Sequence, residues 1–300
     1  MIKRIVPLAM VVASISACVS VQPARDVPIT VTNAKTFTFN KTPAPGVELS
    51  QSQVLSGLRS QITGAASHKY GCNPMCETPK GYSPGYNYEG AIIGQNTDGF
   101  MVTYRKGDTY RSTTGTMMES YKDISAKLPV TIQDDGNSWI VKLSSPASLH
   151  KTKGDDTMFL FKTDAQAIAQ YNKLLSKLDP VIPAEKVDKG EFKVNYDPES
   201  VATSLNRKLQ PTTRTTNKAG GLRTVYQLKS GEQTANAEVK IYLNKGKSLV
   251  EYTIKQKFDV DAKGGSSFND SAFKLFKQQI MIQQQRINKL LAIKMYLQIH

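Results

Sequence analysis

The chain has 300 residues, 39% of them hydrophobic, and a formal net charge of +14, which is length for two domains of ordinary size. Its three histidines, His68, His150 and His300, stand in no metal-ligand spacing. No Walker-type phosphate loop occurs, the chain is read as non-enzymatic, and no cofactor or metal is expected.

The N-terminus runs Met1-Ile2-Lys3-Arg4, then an apolar stretch from Ile5 to Ile15 broken by Pro7 and Ser14, then Ser16-Ala17-Cys18. Two cations, roughly ten apolar residues and a small-residue site have the layout of a secretory signal peptide, over residues 1–17. The stretch falls short of the roughly 20 apolar residues that span a bilayer. The tetrad "ISAC" resembles the lipobox of bacterial lipoproteins. That resemblance implies cleavage after Ala17, a thioether-linked diacylglycerol on Cys18, and a further acyl chain on its new amino group. In enteric bacteria Asp after the cysteine favours the inner membrane. Val19 stands there, so the resemblance implies lipid anchorage in the outer membrane, and a periplasm-facing placement is expected. The alternative is an ordinary signal peptide with an incidental cysteine.

Without residues 1–17 the chain keeps 37 basic and 25 acidic groups, a net +12. Residues 18–180 carry 17 and 14 of them and residues 181–300 carry 20 and 11, so the excess lies in the second half. A basic module in the envelope suits anionic lipid, lipopolysaccharide phosphates or an acidic protein face, and secretion argues against nucleic acid. The plain alternative is solubility.

Residues 18–34 are polar and Pro-containing and read as a tether. A first domain is expected over 35–179. It opens with alternating Phe37 and Phe39, followed by Val54, Leu58 and Ile62 at helical spacing. A loop over 64–88 then carries Cys72 and Cys76 in "YGCNPMCETPKGY". In an oxidising compartment these two are expected to form a disulfide, and a soft-metal site with His68 and Met75 is the alternative. The same loop ends in Tyr82, Tyr86 and Tyr88, which are suited to partner contact, or else belong to a plain surface loop. Hairpins are expected around Lys106-Gly107-Asp108 and Asp135-Gly136-Asn137. A helix follows with Ile168, Tyr171, Leu175 and Leu178 after a cap at Thr163. The carboxylate pairs in "DDGN" (134–137) and "GDD" (154–156) read as turns and not as acid–base pairs.

Pro180 and Pro183 mark a linker over 180–190, and a second, basic domain is expected over 191–300. Phe192 and Val194 again precede a helical series, Val201, Leu205 and Leu209. The loop "QPTTRTTNKAGGLRT" places Arg214, Lys218 and Arg223 around Gly220-Gly221, a candidate anion-binding segment or a surface loop. A hairpin turns at Asn244-Lys245-Gly246, and a long helix starts after a cap at Asn269 with Phe273, Phe276, Ile280 and Gln283. Ile287, Leu290 and Leu291 extend a narrow apolar stripe that packs either on a partner helix or on the chain's own core. The alternating Ile293, Met295, Leu297 and Ile299 leave an edge strand as an alternative for the last eight residues.

Strand, helix, strands, helix, twice over, is an α+β class of two tandem domains, each an antiparallel sheet packed against helices. A sheet gripping a C-terminal helix resembles the helix-grip arrangement. The layout is similar to that of the tandem helix-grip lipoprotein that forms the C subunit of the outer-membrane β-barrel assembly machinery. The resemblance implies a non-enzymatic, membrane-anchored adaptor with envelope protein partners in an assembly or transport complex. An envelope binder of anionic lipid or glycan is the second reading, and a cell-wall enzyme the third.

Overall fold

The computed structural model describes residues 21–30, 33–66, 82–83, 87–96, 98–112, 117–213, 216–218 and 221–299. The first half runs β1 (Arg25–Pro28), β2 (Ala34–Asn40), α1 (Gln51–Ala66), β3 (Tyr82–Ser83), β4 (Asn87–Asn96) and β5 (Gly99–Ser112). It continues with β6 (Met117–Asp134), β7 (Ser138–Ser144), β8 (Ser148–Lys151), a 3-10 turn (Asp156–Met158) and α2 (Asp164–Lys177). The second half runs β9 (Val181–Val194), α3 (Pro198–Asn206), β10 (Gln210–Pro211) and β11 (Thr216–Lys218). It closes with β12 (Gly221–Ser230), β13 (Gln233–Asn244), β14 (Lys247–Asp261) and α4 (Asp270–Ile299). The described residues form two antiparallel sheets and four α-helices, the α+β class that the pattern predicts.

Local chemistry sets the helix starts. Thr163 Oγ1 accepts from the Gln166 amide while Gln166 accepts from Lys162, which begins α2. Asn269 accepts from the Ala272 amide ahead of α4, and Asp197 from Ser200 ahead of Pro198 in α3. Ser50 and Gln53 exchange hydrogen bonds in the same way before α1. Val54, Leu58 and Ile62 then share its buried face, each at 0% exposure, and burial of each contributes about 1.5–3 kcal/mol.

The eight-stranded sheet is ordered β1-β8-β6-β5-β3, with β4 also on β5 and β7 joining β2 to β6. The six-stranded sheet is ordered β10-β12-β13-β14-β9, with β11 on β12. Hairpins form at Asp135-Gly136-Asn137 and at Lys245-Gly246, where φ is 51° and 76°. Packing divides the chain into two compact units. One holds the described residues of 21–33, 66–128 and 145–173, and the other those of 34–65, 129–144 and 174–299.

In the first unit Tyr104, Phe161 and Tyr171 meet edge to face at 5.1 and 5.2 Å. In the second unit Phe192, Tyr226, Ile241, Ile254, Phe276 and Ile280 are among the side chains that bury one face of the six-stranded sheet beneath α3 and α4. Thr38 on β2 donates its amide to Ala262 at the end of β14 in that same unit.

Four expectations and one alternative are corrected. Within the expected tether of 18–34, the described residues 21–30 are not free: Gln22 bridges Gly154, β1 pairs with β8, and Val27 and Ile29 are buried. The stretch 180–190 is not a linker but most of β9, which pairs with β14 from Val181 to Val194. The boundaries between units cut through β6 and α2 instead, so 35–179 and 191–300 are not the packing units. Lys106-Gly107-Asp108 is no turn, because β5 runs straight through it opposite Asn87, Tyr88 and Glu89 of β4. At the C-terminus helix, not strand, continues to Ile299.

Candidate functional site

Of the predicted site residues, Cys18, Cys72, Cys76, Tyr86 and Arg214 lie outside the described residues. Tyr82 and Tyr88 stand on β3 and β4, opposite Ser112 and Gly107 of β5, so part of the expected 64–88 loop is sheet. Lys218 lies on β11 opposite Gly221. Leu290 and Leu291 lie within α4. Ile287 is 2% exposed and belongs to the second unit's core, so the chain itself covers this residue.

Arg223 sits on β12 and donates to Glu238 Oε2 at 2.8 Å, with Lys240 of β13 3.8 Å from the same carboxylate. The hydrogen bond from Arg223 outweighs burial and holds Glu238 below the usual carboxylate range. Its charge is therefore already matched, which removes it as a free cation for an incoming anion. Beside it Pro198, Glu199, Gly221, Leu222, Ile241, Tyr242 and Leu243 line a shallow depression of about 430 Å³. The one formal charge among those lining residues is the carboxylate of Glu199, a poor complement to an anion. Gly221 (φ 141°) lies tight against β13, where a Cβ would come 2.4 Å from the Ile241 carbonyl oxygen.

The strongest polar cluster lies in the first unit and was not singled out from sequence. Lys151, 1% exposed, donates to Asp156 at 2.6 Å and to Asp164 at 2.9 Å. Arg25 makes a two-pronged pair with Asp164 and stands 3.6 Å from Asp156. The Lys151 ammonium also lies 4.7 Å from the centre of the Phe159 ring. The alternation in Ser148-Leu149-His150-Lys151 puts Lys151 on the buried side with Leu149, which is the signal that points to it. Burial works to raise the Asp164 pKa, and the hydrogen bonds from Lys151 and Arg25 outweigh it, leaving it below the ordinary value. Two cations facing two carboxylates form a clasp on β1, β8, α2 and the 3-10 turn.

The acidic turns behave likewise. Asp155 caps the 3-10 turn by accepting from Thr157, and Asp134 pairs with Lys41 while accepting from Gly136. Among the described residues no group of three or more His, Cys, Asp or Glu side chains is placed to hold a metal ion.

No protein-family model matches the chain, and no curated protein matches it. Two solved structures are similar at low level. The di-domain ARO/CYC StfQ of the steffimycin biosynthetic pathway is 11% identical, with 87% of this chain and 97% of that one covered and a TM-score of 0.19. DynU16, from the dynemicin biosynthetic locus, is 8% identical, with 86% and 95% covered and a TM-score of 0.17. Likeness at that level carries no argument about this chain. Among the described residues no helix is long and apolar enough to cross a membrane.

Proposed function

We propose that the chain is a lipoprotein anchored through Cys18 to the outer membrane, facing the periplasm, and that it works there as a non-enzymatic adaptor in an envelope assembly or transport complex. One observation supports this reading above the others. Among the described residues, Gln22, four residues after Cys18, is already paired by its backbone with Gly154, so an acylated cysteine would hold folded protein close to the membrane. The described ionic clusters, Lys151 with its partners and Arg223 with Glu238, are matched pairs that stabilise sheet and helix, as suits a scaffold.

The test is fractionation joined to crosslinking. Cys18→Ser should move the protein from the membrane to the soluble periplasm, and continued membrane association removes the anchor. Crosslinking in intact cells should then attach discrete envelope proteins to the wild type. Crosslinks scattered over abundant neighbours remove the adaptor role.

A further inference from the structure

Gln22 and Gly154 hold each other by two backbone hydrogen bonds, 3.2 and 3.0 Å, and so fix where the chain leaves the first unit toward Cys18. Four residues span at most about 14 Å. The interfacial layer on each side of a bilayer takes up about 5–8 Å of that. An acylated Cys18 would therefore keep the bridge within about 10 Å of the headgroup surface.

The residues around this bridge have an unusual composition. Val21 is 57% exposed and Met158 54%, two of the most exposed large apolar side chains described. Met158 is held outward on a fixed turn: its amide donates to Asp155 at 3.0 Å, and the next residue, Phe159, is 2% exposed beneath Lys151. From Gly154 to Met158 is again four residues, at most about 14 Å of chain. The Lys122 stem lies over Gly154, 3.0 Å from where a Cβ would stand, and its ammonium donates to the Lys153 carbonyl oxygen at 2.8 Å. Lys153 is exposed. The nearby carboxylates are engaged, Asp156 by Lys151 and Arg25, and Asp155 by the Thr157 amide.

We infer that Val21 and Met158, flanked by Lys122 and Lys153, form a membrane seat that lies in the headgroup layer and sets which face of the first unit meets lipid. Apolar side chains beside long cationic ones suit that layer, since the stems and apolar tips take the acyl boundary and the ammonium groups take the phosphates. The inference rests on the anchored reading above and adds the contacting face to it. A lipid surface is the occupant because the covalent length after Cys18 leaves the bilayer as the nearest neighbour.

The full lipidated chain, carrying p-benzoylphenylalanine in place of Met158, would be illuminated in vesicles of phosphatidylethanolamine and phosphatidylglycerol. The same photoreactive residue at Ile92, which is 42% exposed on β4, is the comparison. The seat predicts phospholipid adducts at position 158 several-fold above those at 92. Equal adducts at both positions, in protein whose Cys18 carries acyl mass, overturn the seat and leave the anchor standing. A Cys18 without acyl mass overturns the anchor and the seat together.

Discussion

Arg25 and Asp164, 139 residues apart, form a two-pronged ion pair with separations of 3.0 and 3.2 Å, fastening β1 to the first turn of α2. Lys151 shares the same carboxylate from the buried side. Asp164→Asn should lower stability by roughly 2–4 kcal/mol, since Lys151 then keeps one full counter-charge instead of two. The depressed pKa of Asp164 fixes the sign with pH. Its contribution is complete above the unfolded carboxylate value near about 4 and is lost as pH falls through the lower folded value. Urea midpoints measured from pH 7 downward should therefore fall more steeply in acid for wild type than for Asp164→Asn. Parallel curves would remove Asp164 from the clasp.

The Tyr171 hydroxyl is buried between the carbonyl oxygens of Val102, 2.7 Å away, and Ile124, at 3.1 Å. Burial pushes its pKa well up, so it stays a neutral donor. Tyr171→Phe leaves both carbonyls without this donor and should cost about 1–2 kcal/mol. Calorimetry of the variant, at unchanged near-ultraviolet dichroism, checks it.

Two glycines at positive φ should differ. Gly221→Ala brings a Cβ against the Ile241 carbonyl as well as into unfavourable φ, whereas at Gly246 the space is open. The first should cost about 2–4 kcal/mol and the second about 1 kcal/mol. Denaturant titrations of the two variants side by side decide the order.

Ile287→Ala should destabilise the isolated protein by about 2–5 kcal/mol, as a core truncation does. A partner-facing residue would leave the isolated protein unchanged and weaken only the complex. Thermal melts of the purified variant separate the two.

What the sequence makes legible is local. Caps at Thr163 and Asn269, the Lys245-Gly246 turn and the period of β13 and β14 each depend on neighbours within a few residues. Strand β9 was hidden because Pro183 and Gly190 look like breaks. Pro183 is tolerated on a strand that, among the described residues, pairs only with β14 at the sheet edge, and Gly190 leaves room for the Tyr252 ring, whose hydroxyl a Cβ would meet at 2.3 Å. Gly107 reads as a turn until β4 supplies Tyr88 opposite it. The clasp on Lys151 was hidden for the same reason: its partners include Arg25, which reaches it only through the β1–β8 register. The candidate site shared that fate, since Arg223 looks free until β13 brings Glu238 to it.

The two units are interleaved along the chain, and this has a consequence in time. A chain emerging N-terminus first has all of the first unit's segments available once residue 173 is out. Residues 34–65 and 129–144 must wait for 174–299 before their own unit can close. The early strand β2 thus remains without its β14 neighbour until nearly the last of the chain arrives, an interval in which a helper that shields strand edges would have something to hold.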